Sequence, residues 1–285
     1  GLIEPILIGN RRRIDAAAAT LGAGLSQFQR VDADSDFTAS ATAVRMARDG
    51  SVAALMKGHL HSDVMLAEVV RRDGGLRSGR RISHVFVMDT PGLEHPLFIS
   101  DAAINIAPDL AAKADITQNA INLARACGIA VPKVGILSAI ETVNPAIPST
   151  IDAAVLAKMA ERGQIVGGIV DGPLAMDNAV NLEAARSKGI QSLVAGHAQV
   201  LIVPNMEAGN MLAKELTFVA SALAAGLVLG ASVPIILTSR ADDAQSRLMS
   251  CALAHLYVHW TKTGVSAVRE LVAPAEIQDQ DGSGR

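Results

Sequence analysis

Residues 233–244 read Val-Pro-Ile-Ile-Leu-Thr-Ser-Arg-Ala-Asp-Asp-Ala, an apolar run that stops abruptly at a hydroxyl, a guanidinium and two carboxylates. If the run is a buried strand, Ser239, Arg240, Asp242 and Asp243 stand together at one sheet edge. They would supply a hydroxyl that can hydrogen-bond a carbonyl, a cation that can hold an anion and a base that can take a proton. In open α/β sheets, ligands bind outside the carboxyl ends of strands. The plainer reading of the same residues is a helix cap followed by solvated charge.

Other segments repeat the form of an apolar run ending in polar groups. Lys57-Gly-His-Leu-His61 follows the apolar residues 52–56. Lys57 could meet an anion there as a point charge. His59 and His61 alternate in a way that could bind metal, but two histidines without a third ligand make a weak metal signal, and polar loop histidines are the better reading. Asp171-Gly172-Pro173 follows residues 165–170, and Gly172 would let a ligand approach the backbone closely. Asp171 could equally cap a turn. Ser138, with Glu141 and Thr142, ends the run 133–138, and Asn205, Glu207, Gly209 and Asn210 follow residues 200–203. Gly209-Asn210 could also be only a helix start. If the strands are parallel, these loops converge on one cleft. Neither a GxGxxG nor a GxxxxGK[ST] loop is present.

Read together, Ser138-Ala-Ile-Glu-Thr-Val-Asn-Pro145, Asp171-Gly-Pro-Leu-Ala-Met-Asp-Asn178, Val203-Pro-Asn-Met-Glu-Ala-Gly-Asn210 and Ser239-Arg240 occur in the order and spacing of one family. From about residue 2 to about residue 257 the chain resembles the phosphate acetyltransferase and phosphate butyryltransferase (phosphotransacylase) family. It looks closest to the butyryl branch and to the transferase part of fused enoyl-CoA hydratase/phosphate acetyltransferase proteins. The resemblance implies exchange of a short acyl group between coenzyme A and inorganic phosphate, by direct transfer in a ternary complex. Coenzyme A is then substrate or product, with no bound cofactor and no metal. By the same resemblance Ser239 hydrogen-bonds the reacting carbonyl or phosphate without forming an acyl-serine, and Arg240 holds phosphate through its planar fork.

The base is where the chain departs from the acetyl branch. Those enzymes carry an Asp seven residues after the Ser, which is Ser246 here, whereas the butyryl branch carries one three residues after it, which is Asp242. Asp242 is therefore the expected base, with Asp243 the alternative, and both can also be first-turn helix acids. Lys57 and His61 match a family loop implied to bind substrate, as Ser138, Asp171, Gly172, Asn205, Gly209 and Asn210 match others. An arginine that acetyl enzymes carry nearby falls at Ala67 or Glu68, leaving Arg71, Arg72 or Arg77 as candidates for its anion-binding role.

The elements that must position these residues follow from the pattern. The chain has 285 residues, half of them hydrophobic and only 2% aromatic, so the core is built from Ala, Leu, Ile and Val, as in parallel sheets covered on both faces. Strands are expected at 2–8, 28–31, 52–56, 82–88, 133–138, 165–170, 200–203 and 235–238, with 96–101 pairing beside 82–88. Helices are expected at 11–21, 40–49 and 113–127, the last with Ile116, Ala120, Leu123, Ala124 and Cys127 on one face. The charge-free stretch 216–239 is broken by Gly226, Gly230 and Pro234, and reads as a buried helix, a turn and a strand rather than a membrane span.

Strand–helix alternation predicts an α/β fold. The resemblance adds two domains with mostly parallel sheets, similar to isopropylmalate dehydrogenase, and a site in the cleft between them. The first domain is expected over residues 1–76 plus 229–257, lacking the family's first strand and helix, and the second over 77–228. A carboxyl-terminal extension covers 258–285. A net charge of −3 argues against nucleic acid as a partner. Two cysteines without a CxxC spacing suggest a reduced, cytoplasmic setting, and the resemblance implies a homodimer. Two other readings stay open. One is a non-catalytic acyl-CoA-binding or scaffold module. The other is an NAD-dependent β-decarboxylating dehydrogenase, against which the single tyrosine, Tyr257, counts.

Overall fold

The computed structural model describes residues 2–238 and 243–268. The chain opens with β1 (Ile6–Gly9), α1 (Arg11–Thr20), β2 (Gln29–Asp32), α2 (Asp36–Arg48), β3 (Leu55–Met56) and α3 (Ser62–Val69). It continues through β4 (Ser83–Asp89), β5 (Leu97–Ser100), α4 (Leu110–Ala126), β6 (Lys133–Leu137), α5 (Pro148–Glu161) and β7 (Ile169–Leu174). Two short helices, α6 (Met176–Val180) and α7 (Leu182–Ser187), lead to β8 (Val200–Ile202) and α8 (Met206–Phe218). The last elements are β9 (Leu223–Leu229), β10 (Ile235–Ile236) and α9 (Ala244–Thr263).

Helix starts follow side-chain chemistry. Ser35 and Thr38 form a reciprocal capping box that starts α2 four residues before the apolar pattern suggests. Asp109 accepts the amide of Ala112 and starts α4, whose expected stripe of Ile116, Ala120, Leu123, Ala124 and Cys127 is buried throughout. Pro148 opens α5 at a position where its missing amide costs nothing.

β1 and β2 form a small parallel pair, and the other strands form one sheet in the order β3-β10-β9-β4-β5-β8-β6-β7. The pairs β5·β8, β8·β6, β6·β7 and β3·β10 are parallel, whereas β4·β5, β4·β9 and β9·β10 are antiparallel. This is an α/β fold with a mostly parallel sheet between helices. One reading of the sequence needs correction: residues 223–229 form β9, an interior strand of the sheet, and not part of a buried helix and turn. A run of apolar residues without alternation fits a buried strand and a buried helix equally well, and long-range pairing with β4 decides between them. Residues 165–170 also shift, since β7 begins only at Ile169 and runs through Asp171 and Gly172 to Leu174.

The two faces of the sheet are covered differently. Val85 and Val87 of β4 and Leu227 and Leu229 of β9 pack with α4, α5 and α9 in the largest apolar cluster. On the other face the cover is split. Met88, Phe86 and Ala224 belong to a cluster with residues of α6, α7 and α8, while Val228 and Ile235 belong to another with α2 and α3. On the same face β4 and β9 also carry His84 and Gly226, beside Phe86.

Candidate active site

β10 carries the chain from Ile236 through Leu237 to the buried Thr238. The expected catalytic residues Ser239, Arg240 and Asp242 come next and lie outside the described residues. The description resumes at Asp243, which caps α9: its Oδ1 accepts the Ser246 amide at 2.7 Å. Hydrogen bonds from Ser246 hold the Asp243 carboxyl below its ordinary range. A carboxylate engaged in this way behaves as a helix cap, the plainer of its two sequence readings.

Lys57 sits beside the end of β10. Its amide donates to the Ile236 carbonyl at 2.9 Å, continuing the β3–β10 pairing, so the Lys57 backbone and the exit of β10 are neighbours. Lys57 is only 8% exposed, and its Nζ makes a long 3.4 Å hydrogen bond to the Leu60 carbonyl. An ammonium this buried needs more than one weak neutral partner, and an anion would satisfy it. His61 is exposed at the cap position of α3 and makes no side-chain capping bond. His59 Nδ1 lies 3.4 Å from Arg13 Nη2. Among the described residues no three His, Cys, Asp or Glu side chains gather closely enough to hold a metal ion.

The other expected site residues stand elsewhere. Ser138 follows β6, with its Oγ 2.8 Å from Ser149 Oγ. Asp171 accepts its neighbour Gly172's amide at 2.8 Å and the Ser192 hydroxyl. Gly172 is required by packing, because a Cβ there would lie 2.8 Å from the Ile136 carbonyl and 2.9 Å from Ile136 Cβ. Asn205 caps α8 by accepting the Ala208 amide at 2.9 Å. Gly209 lets that helix approach Asp101 and Ala102, to whose carbonyl Asn210 donates at 3.2 Å.

Register shows which of these residues belong together. β3 and β10 run opposite to β5, β6, β7, β8 and β9. Lys57 and Thr238 therefore stand at the end of the sheet where β5, β6 and β8 begin, and Ser138 and Asn205 stand where β6 and β8 finish. The loops form two groups, because the condition for a single one, strands all parallel, is not met.

The exit of β10 also borders a pocket that the sequence did not signal. Its walls are His84, Phe86, Ala224, Ala225, Gly226, Leu237, Thr238 and Ser250. The Ser250 hydroxyl accepts the Gly226 amide at 3.1 Å and so joins α9 to β9. His84 is 2% exposed, and its ring meets Phe86 edge-on with centroids 4.3 Å apart. The one available signal was a histidine inside the apolar run 82–88. Its meaning depends on β9 lying alongside, which was not legible.

The fold is that of an α/β protein, and the comparisons give the family. Residues 37–255 match the family described as "Phosphate acetyl/butaryl transferase", and the chain belongs to it. It is 60% identical to a phosphate acetyltransferase of Rhizobium meliloti over 257 residues, covering 90% of this chain and 81% of that protein. It is 41% identical to a phosphate butyryltransferase of Clostridium beijerinckii over 255 residues, covering 90% and 84%. Among solved structures it superposes with a branched-chain phosphotransacylase from Enterococcus faecalis V583 at a TM-score of 0.78 and 27% identity, covering 89% and 98%.

Proposed function

We propose that the protein is a phosphate acyltransferase that exchanges a short acyl group between coenzyme A and inorganic phosphate. The observation that carries this reading is membership of the family over most of the chain, with Ser239-Arg240 following a strand whose neighbour ends in a buried lysine. In the direction of acyl phosphate, a phosphate oxygen attacks the thioester carbonyl. The tetrahedral oxyanion collapses by breaking the carbon–sulfur bond, and the departing sulfur takes a proton. Ser239 donates a hydrogen bond to the developing oxyanion, and Arg240 and Lys57 bind phosphate. Asp242 takes the proton that the attacking hydrogen phosphate loses and passes it to sulfur and, in reverse, removes it from the thiol and returns it to phosphate. The engagement of Asp243 as a cap supports Asp242 over Asp243 for this role.

His61 remains a proposed substrate contact beside Lys57, and Ser138, Asp171, Gly172, Asn205, Gly209 and Asn210 remain proposed contacts of a second group, away from the exit of β10. The split helical cover of one sheet face supports two domains, residues 1–76 with 229–257 and residues 77–228, and a cleft between them. We further place the protein in the cytoplasm as a homodimer. Two buried cysteines left as thiols agree with the compartment, and no described helix is long and apolar enough to cross a membrane.

Thiol release from acetyl-, butyryl- and isobutyryl-CoA, with and without phosphate, tests the reading. Release that depends on phosphate is expected. Equal release without phosphate would make the protein a thioesterase, and binding without release would make it a non-catalytic acyl-CoA module.

A further inference from the structure

We propose that Lys188 is a positioning residue: through Glu141 it holds the segment 139–143 where that segment meets the coenzyme A portion of acyl-CoA. The inference rests on the transferase reading above, and three observations carry it.

The first is a junction between two sequence motifs that the proposed chemistry leaves unused. Glu141 follows β6, and Asp177 and Asn178 lie in α6 just after β7, so the parallel pairing of β6 and β7 brings them to one end of the sheet. Lys188 Nζ stands 3.2 Å from Glu141 Oε2 and 3.1 Å from Asp177 Oδ2. Asn178 Nδ2 donates to the same Glu141 oxygen at 3.2 Å. One ammonium from outside both motifs therefore serves a carboxylate from each.

The second is that only one side of this junction is anchored without Lys188. Asn178 is fully buried, and the carbonyls of Asn178 and Ala179 accept the amides of Gly196 and Ala198 at 2.8 and 3.0 Å. Across from it, Ser138 is fixed by its amide bond to the Leu174 carbonyl, and Asn144 by the Thr150 hydroxyl. Between those two points, among the described residues, Glu141 alone ties the segment 139–143 to the rest of the protein by hydrogen bonds. The Lys188 and Glu141 side chains are 33% and 28% exposed, and a pair this open to water adds little stability while it still orients what it joins. The third is place. Thr142 and Val143 are exposed beside Ser138, at the end of the sheet where β6 and β8 finish. Phosphate is assigned to the other end, at the exit of β10. Coenzyme A is the substrate with the length to reach this one, and a hydroxyl next to an apolar side chain suits its amides and methylenes.

The test compares wild type with Lys188→Met, which keeps the bulk and removes the charge, and with Lys188→Arg, which keeps the charge. Cleavage after Glu141 by a Glu-specific protease reports the order of the segment. Calorimetric affinity for butyryl-CoA and the phosphate KM report the ligands. We expect Lys188→Met to be cut after Glu141 about fivefold faster and to bind butyryl-CoA about fivefold more weakly, the size of one partly exposed ion pair. The phosphate KM should stay unchanged, which a general loss of structure would not allow, and Lys188→Arg should return both values towards wild type. Unchanged cutting or unchanged affinity in Lys188→Met overturns the proposal, and so does a phosphate KM that rises as affinity falls. Faster cutting and weaker butyryl-CoA binding, in a protein whose wild type shows no phosphate-dependent release, uphold the role of Lys188 and overturn the transferase reading.

Discussion

Lys113 Nζ and Asp152 Oδ2 meet at 2.7 Å between α4 and α5, with the lysine side chain 7% exposed and the aspartate 27%. The pair fixes two helices that cover the same face of the sheet. Lys113→Ala leaves the carboxylate without its cation and should cost about 2–3 kcal/mol, the low end for a broken buried pair because Asp152 keeps some water. Urea unfolding should show a lower midpoint with an unchanged slope. An unchanged midpoint would mean that the pair contributes nothing net.

Gly172→Ala should destabilise the protein by about 1–3 kcal/mol, because the new methyl meets the Ile136 carbonyl and Ala153 Cβ at 2.8 and 3.1 Å. A variant as stable as wild type would show that β6 and β7 can part to admit it.

Burial pushes the Cys127 thiol up to about 12, and the Cys251 thiol is raised by the same cause. At pH 8 neither should carry appreciable thiolate, so alkylation of the native protein should be slow and become fast in urea. Rapid labelling of Cys127 in the folded protein would contradict its burial.

Asp243 titrates below its unfolded value, so its contribution is fully present above the ordinary carboxylate range and is lost as pH falls through the folded pKa. Asp243→Ala should lower the melting temperature at pH 7, with the difference from wild type closing towards pH 2. Asp243→Asn, which can still accept the Ser246 amide, should stay near wild type. Loss of turnover in Asp243→Asn without unfolding would instead make Asp243 the base.

Arg240→Ala should raise the phosphate KM and lower kcat together, and Asp242→Asn should lower kcat while the protein stays folded. Unchanged kinetics in either variant would remove that residue from the site.

Much of the fold was legible because periodicity and caps are local. The stripe Ile116 to Cys127 and the strands ending at Leu137 and Ile202 are written in short windows of sequence. β9 was not, since Leu223–Leu229 is apolar throughout and only its pairing with β4 makes it a strand. The site divided in the same way. Lys57 beside the end of β10 was half visible as a charge after an apolar run. His84 was invisible as a pocket residue, because its role depends on Gly226 from a strand far along the chain.

β4 and β9 are sheet neighbours, yet everything from β5 to α8 lies between them in sequence. During synthesis, one edge of β4 therefore stays bare until residues 223–229 have been made. An apolar strand with an unpaired edge is a template for wrong pairing. Entry of the two late strands β9 and β10 between β4 and β3 closes the sheet, and the long loop that they must close makes the step slow. A chain halted before residue 223 would lack β9, β10 and α9, and with them the two strands that join β3 to β4.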